Sequence, residues 1–258
     1  MSSWRPADAK AWLLDLDGVL HVGGEPIPGA AEAVAHLRSR HLPFRITTNT
    51  TTRSREQLAA DLSTMGIAVS AAEIINAPFA AILHLRHIGS PRCRLLMRDD
   101  VQSDFAEFPT SDIAPDVIVV GDIGERWDYA LMRELFLQIR SGARIVALHK
   151  GKYWQEKDGL RLDIGAFIAG LEYATGTIAD VVGKPSRPFF ELALSDLGVR
   201  SSDAVMVGDD IELDIGGAQA AGLRGVLVKT GKYRTETHTA SGIEPDAVWE
   251  SIADLRSV

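Results

Sequence analysis

The sequence predicts an α/β fold in which a parallel sheet is covered by helices. Two observations carry that expectation. Short apolar, strand-like runs alternate with helix-period runs from end to end, and the chain holds no internal repeat and no low-complexity segment. Four polar signals each follow an apolar run: Asp15-x-Asp17-Gly18, Thr47-Thr48-Asn49-Thr50, Gly183-Lys184-Pro185, and Gly208-Asp209-Asp210 with Asp214 beyond. In an open parallel sheet the carboxyl ends of the strands share one edge, where ligands bind, so these separated stretches are expected to meet in one crevice.

The first strand is expected over the apolar run that begins at Ala11 and is broken by Asp15 and Asp17. A helix over 28–40 follows, with Pro28 in its first turn and Ala31, Val34 and Leu37 on one face. A second strand is expected at 44–47. Ser54-Arg55-Glu56-Gln57 has the form of a capping box opening a helix that Gly66 can close, and Ser70-Ala71-Ala72-Glu73 opens another that is expected to run to about His87. Then come strands at 94–97, 115–120 and 144–148 and helices at 128–141 and 164–174. The charged, aromatic stretch 150–161 reads as a loop or short hairpin. The final part repeats the style of the first, with a helix at 188–197, a strand at 204–207, a helix at 211–221, a strand at 225–229 and an edge strand at 246–249.

At 258 residues the chain fits one large domain or a core with an insertion. Hydrophobic residues at 46% and charged ones at 24% are those of an ordinary globular protein. Every hydrophobic block is interrupted before it reaches membrane-spanning length, and the opening Met-Ser-Ser-Trp-Arg-Pro has no signal-peptide core, so no membrane partner and a cytoplasmic location are expected. The formal charge is −8, from 27 basic and 35 acidic residues with no basic block, which argues against nucleic acid as a partner. An anionic ligand must therefore be attracted by a local device. The single cysteine, Cys93, excludes an internal disulfide and reads as a buried thiol in a strand.

The four signals together supply a carboxylate cluster, a hydroxyl with neighbouring backbone N–H groups, and one ammonium. That set can hold a phosphoryl group with Mg²⁺. A hard cation takes oxygen ligands and relieves the repulsion between carboxylates such as Asp15 and Asp209, while Lys184 and the Thr48-Asn49 turn neutralise phosphoryl oxygens. A Walker phosphate loop does not fit, because Pro185 stands where a Ser or Thr must follow Lys184.

The order of these motifs resembles that of the haloacid dehalogenase superfamily. The long insertion between the Thr-Asn and Gly-Lys-Pro signals is similar to that of subclass IIA, whose C2-type cap lies there and which includes nagD-like and phospholysine phosphohistidine inorganic pyrophosphate phosphatases. The likeness extends to Leu171-Glu172-Tyr173-Ala174-Thr175-Gly176 and to the stretch from Leu227 through Lys229-Thr230-Gly231-Lys232 to Tyr233. It implies a Rossmann-like core over 1–77 and 181–258 and an inserted α/β cap over 78–180. It also implies a Mg²⁺-dependent phosphatase that works through an aspartyl-phosphate on a small phosphorylated compound. Asp15 would be the nucleophile and Asp17 the acid and base; the metal would lie on Asp15, the Asp17 carbonyl and Asp209, supported by Asp210 and Asp214; and Thr48, Asn49 and Lys184 would bind the phosphoryl group. Cap loops would set specificity, with Asp122, Tyr153, Trp154 and Asp163 as candidates, although Tyr153 and Trp154 serve equally well as packing residues. A homodimer through the cap is a further expectation. A phosphate-binding or regulatory protein with little turnover, and a phosphotransferase to an acceptor other than water, are the alternatives that the same residues allow.

Overall fold

The apolar run at 11–15 forms β1 (Ala11–Asp15), buried along its whole length. In the computed structural model, which describes residues 4–156 and 159–258, this strand lies in the middle of a six-stranded sheet. After it come the small hairpin of β2 (His21–Val22) and β3 (Glu25–Pro26), then α1 (Ala30–Ser39), β4 (Phe44–Thr48), α2 (Arg55–Thr64) and β5 (Ile74–Asn76). An insertion follows with α3 (Ala77–His87), β6 (Cys93–Leu96), α4 (Asp99–Gln102), β7 (Val117–Val120), α5 (Tyr129–Arg140), β8 (Arg144–Ala147), β9 (Tyr153–Glu156), β10 (Gly159–Leu162), α6 (Ile164–Thr175) and β11 (Asp180–Val181). The chain closes with α7 (Arg187–Leu197), β12 (Ala204–Gly208), α8 (Gly217–Ala220), β13 (Arg224–Val228), α9 (Thr235–Ser241) and β14 (Ala247–Trp249).

The chain divides into two compact units. One holds residues 1–48, 55–75 and 184–258; the other holds 49–54 and 76–183. The first is built on the sheet β14-β13-β12-β1-β4-β5. Here β1 pairs in parallel with β12 and β4, placing Leu14 opposite Val207 and Ile46, and Asp15 opposite Thr47. Side chains alternate across such a strand, so Trp12 and Leu14 join Val34, Leu37, Ile46, Val205 and Val207 in one hydrophobic cluster, while Leu13 is buried on the opposite face. Burial on both faces is the mark of a parallel sheet covered on both sides, and it explains why its strands read as unbroken apolar runs.

The second unit has a parallel sheet of its own, β11-β8-β7-β6, and a separate antiparallel hairpin of β9 and β10 where a loop or hairpin was expected. Its core gathers Ile118, Val120, Leu135, Ile145, Ile164 and Ile168. Trp127 and Phe167 stack there with centroids 4.3 Å apart and planes 6° from parallel. Cys93 is buried, as expected, and its thiol faces the Pro91 carbonyl at 3.3 Å. Burial, with the Asp116 carboxylate nearby, pushes that thiol up to about 11.

Two stretches differ from the expected elements. The box at Ser70 and Glu73 forms, but it opens only the 3₁₀ turn Ala71–Glu73. The β-branched pair Ile74-Ile75 then joins the sheet edge as β5, and the long helix starts later, capped by the Asn76 carboxamide, which accepts the Phe79 N–H at 2.9 Å. The expected helix at 211–221 is a π-helical turn, Ile211–Gly216, that runs into the short α8. Among the described residues, no helix is long and apolar enough to cross a membrane.

Candidate active site

Parallel pairing brings the ends of β1, β4 and β12 to one sheet edge, and with them Asp15, Thr48 and Asp209. Lys184 reaches the same place just ahead of α7. Its ammonium pairs with Asp15 Oδ1 and, at 2.7 Å, with Asp214 Oδ1. All three side chains are buried, as is Asp209. Carboxylate oxygens of Asp15, Asp209 and Asp214 lie within 4.8 Å of one another. Asp214, expected to support from behind, is thus part of this cluster; its other oxygen accepts the Asp210 N–H at 3.2 Å. Gly208 is needed for the approach, because a Cβ there would lie 2.3 Å from that of Asp214.

Three buried carboxylates share one bonded ammonium, which leaves an excess of negative charge. Burial, then repulsion from Asp214, holds Asp15 well above the usual carboxylate range in spite of Lys184. The same two causes push Asp209 up to about 7, although the Lys232 N–H works the other way. For Lys184 burial opposes the charge, but the carboxylates of Asp15 and Asp214 outweigh it and hold the ammonium above its ordinary range. The donors are hard oxygens, they converge, and their mutual repulsion is what a divalent cation would relieve. These residues therefore fit such an ion.

Asp17 is placed differently from Asp15. The strand ends at Asp15, and the turn through Gly18 at φ +93° carries the second acid away from the cluster. Its side chain is 53% exposed, with Oδ2 taking the Thr48 hydroxyl at 3.4 Å and Oδ1 standing 3.8 Å from His21 Nε2. The extended backbone ends at Asp15, so Asp17 does not share its strand face. Asp210 caps the π-helical turn, its Oδ1 accepting the N–H groups of Glu212 and Leu213 at 3.1 and 3.0 Å. Asn49 belongs to the second unit, where its Oδ1 would lie 2.7 Å from a Cβ at Gly183.

One part of the site carries no role in the sequence reading. Beyond β13, the Thr230 hydroxyl donates to the Gly18 carbonyl at 2.5 Å, and the Lys232 N–H donates to Asp209 Oδ2 at 2.6 Å. The signal was available, since Lys229-Thr230-Gly231-Lys232 is a fifth polar stretch directly after an apolar strand.

The four specificity candidates lie in the second unit. Asp122 follows β7 and accepts the Gly124 N–H at 2.8 Å. Asp163 caps α6, with Oδ1 accepting the Ile164 N–H at 2.7 Å and Oδ2 standing 3.8 Å from His149 Nδ1. Tyr153, on β9, is 63% exposed. Trp154 is its neighbour on that strand, and only its backbone is described.

Residues 12–109 match the family model described as haloacid dehalogenase-like hydrolase, and residues 181–255 match a second, HAD-hydrolase-like model. Haloacid dehalogenase-like hydrolase domain-containing protein 2 of Bos taurus is 43% identical over 225 residues, which is 87% of this chain and 86% of that one. The phospholysine phosphohistidine inorganic pyrophosphate phosphatase of the same species is 39% identical over 262 residues, covering 98% and 96% of the two chains. Among solved structures, the p-nitrophenyl phosphatase from Archaeoglobus fulgidus superposes with a TM-score of 0.91 at 28% identity, over 97% of this chain and 99% of that one.

Proposed function

Because the chain belongs to the haloacid dehalogenase-like hydrolases, subclass IIA, and is a phosphatase of that family, we propose that it hydrolyses a small phosphorylated compound through an aspartyl-phosphate on Asp15. The observation that carries this reading is the placement of the Asp15 carboxylate at a strand end, buried against Lys184, within one cluster with Asp209 and Asp214. In the first half-reaction an Asp15 oxygen attacks phosphorus, the bond to the leaving oxygen breaks, and Asp17 gives that oxygen its proton. In the second, Asp17 takes a proton from water as it attacks the phosphorus of the aspartyl-phosphate, which releases phosphate and restores Asp15.

Lys184 neutralises phosphoryl charge and holds Asp15 in place, and Thr48 orients Asp17 while offering its hydroxyl at the same edge. Asp15, Asp209 and the Asp17 carbonyl would hold Mg²⁺, with Asp210 and Asp214 ordering them. When bound, the cation supplies charge neutralisation between the nucleophile and the phosphoryl oxygens, which is most of what phosphoryl transfer requires. Asn49 would add backbone contact to the phosphoryl group. The second unit is read as a cap whose loops at Asp122, Tyr153, Trp154 and Asp163 select the leaving group.

A panel of phosphate esters, assayed with Mg²⁺ and with chelator, tests the reading. Wild-type protein is expected to turn over several esters only with the metal. Asp15→Asn is expected to fall to background and to trap no phosphoenzyme on acid quench, while Asp17→Asn slows turnover by about 10²- to 10⁴-fold. Near-wild-type rates for the Asp15 variant would refute the mechanism.

A further inference from the structure

We propose that the turn Thr230-Gly231-Lys232 is a positioning device for the metal site, holding the Asp209 carboxylate and the Gly18 turn in one fixed arrangement. The inference rests on the reading of Asp209 as a metal ligand. Three independent contacts carry it. The Lys232 N–H donates to Asp209 Oδ2 at 2.6 Å, which leaves the other oxygen of that carboxylate for a cation. The Thr230 hydroxyl donates to the carbonyl of Gly18 at 2.5 Å, tying the turn that carries Asp17 to the end of β13, 212 residues away in sequence. Between them Gly231, at φ +58°, lies so close that a Cβ would stand 2.0 Å from Asp209 Oδ2 and 2.5 Å from the Gly18 Cα. Gly18 has the same constraint from the other side, because a Cβ there would lie 1.9 Å from Asp209 Oδ2. Two glycines in left-handed conformations thus flank one buried carboxylate oxygen, and neither leaves room for a side chain.

The carboxylate needs this hold. Asp209 packs against Asp214 and Asp15 with no cation of the protein bonded to it among the described residues, so the like charges push it outward. The Lys232 backbone N–H counters that push directly, and the Thr230 hydroxyl fixes the Gly18 turn beside the carboxylate. Outer partners of this kind commonly change metal affinity by about 10- to 100-fold when removed. The role belongs to the backbone of Lys232 and not to its ammonium. Its ammonium would be a like charge to any cation bound there, and the contact that holds Asp209 is the backbone N–H.

Direct binding of Mn²⁺ to the full chain, followed by electron paramagnetic resonance of the free ion, tests the device without relying on turnover. Thr230→Val is expected to weaken Mn²⁺ binding about fivefold, the worth of one hydrogen bond, and Thr230→Ser to restore it to within about twofold. Gly231→Ala is expected to weaken it at least about tenfold. Lys232→Met, which keeps the backbone N–H, is expected to bind as tightly as wild type or more tightly. The proposal is overturned if Thr230→Val and Gly231→Ala bind Mn²⁺ like wild type while Asp209→Asn does not. It is equally overturned if Lys232→Met is as weak as Gly231→Ala. Wild-type affinity in Asp209→Asn would instead remove the reading of the metal site on which the device depends.

Discussion

Lys184 decides the character of the core site, because it is the one cation bonded to the buried carboxylates among the described residues. Removing one partner of a buried charge pair leaves the other uncompensated, at a cost of about 3–5 kcal/mol, which exceeds what the lost packing alone would cost. Lys184→Met is therefore expected to destabilise the chelated protein by about 3 kcal/mol in urea denaturation, because Asp15 and Asp214 both lose the cation bonded to them. Adding Asp214→Asn is expected to recover part of the loss, and strict additivity of the two changes would contradict this account. Cys93 makes a simpler case. With its thiol raised to about 11 by burial, its thiolate is scarcer at pH 8 than that of an ordinary cysteine, so alkylation of the folded protein stays slow until the pH passes well above 9. Labelling at pH 8 as fast as for a free thiol would show that the side chain is not held where the structure has it. Much of the site at this scale was legible in sequence: Asp15, Thr48, Lys184 and Asp209 each follow an apolar run, and the strand-end rule assembles them. What was not legible is the separation of Asp15 from Asp17, since only the observed strand end shows that one is buried and the other half-exposed. Thr230-Gly231-Lys232 escaped for another reason: it acts through a hydroxyl, a backbone N–H and the lack of a side chain, none of which marks a residue as chemical.

At the scale of elements, alternation of strand and helix predicted the longer strands and helices but not the β2–β3 hairpin, α4, β11 or α9, and the miss at 70–87 has a physical cause. A capping box satisfies the first N–H groups of a helical turn but says nothing about how far the helix runs. Here Ile74 and Ile75 gain more by joining the sheet edge, and the chain restarts with Asn76 as a new cap and Pro78 in the first turn. Asn76 also donates from Nδ2 to the Arg53 carbonyl at 3.3 Å, so it ties α3 to the segment ahead of α2. Asn76→Ala is expected to cost about 1–2 kcal/mol in denaturant unfolding, from the lost cap and the lost bond together. Asn76→Asp keeps the acceptor for Phe79 and should lose less; equal losses in the two variants would mean that the cap contributes little.

At the scale of the whole chain, two units with separate parallel sheets and separate cores divide the expected roles, and the carboxylate cluster belongs entirely to the first. The first unit therefore stores an electrostatic strain that a divalent ion would release. Mg²⁺ at 100 times its dissociation constant would add about 2.7 kcal/mol to the stability of a folded state that alone binds it. Thermal unfolding of the wild type is thus expected to move to higher temperature when Mg²⁺ replaces chelator. Asp209→Asn reverses the comparison. The amide keeps an acceptor for the Lys232 N–H while removing one of three mutually repelling charges, so in chelator this variant should melt at or above the wild-type temperature, and Mg²⁺ should no longer shift it. A wild type indifferent to Mg²⁺, or an Asp209→Asn variant clearly less stable than wild type in chelator, would show that the repulsion within the cluster is already satisfied by the protein itself.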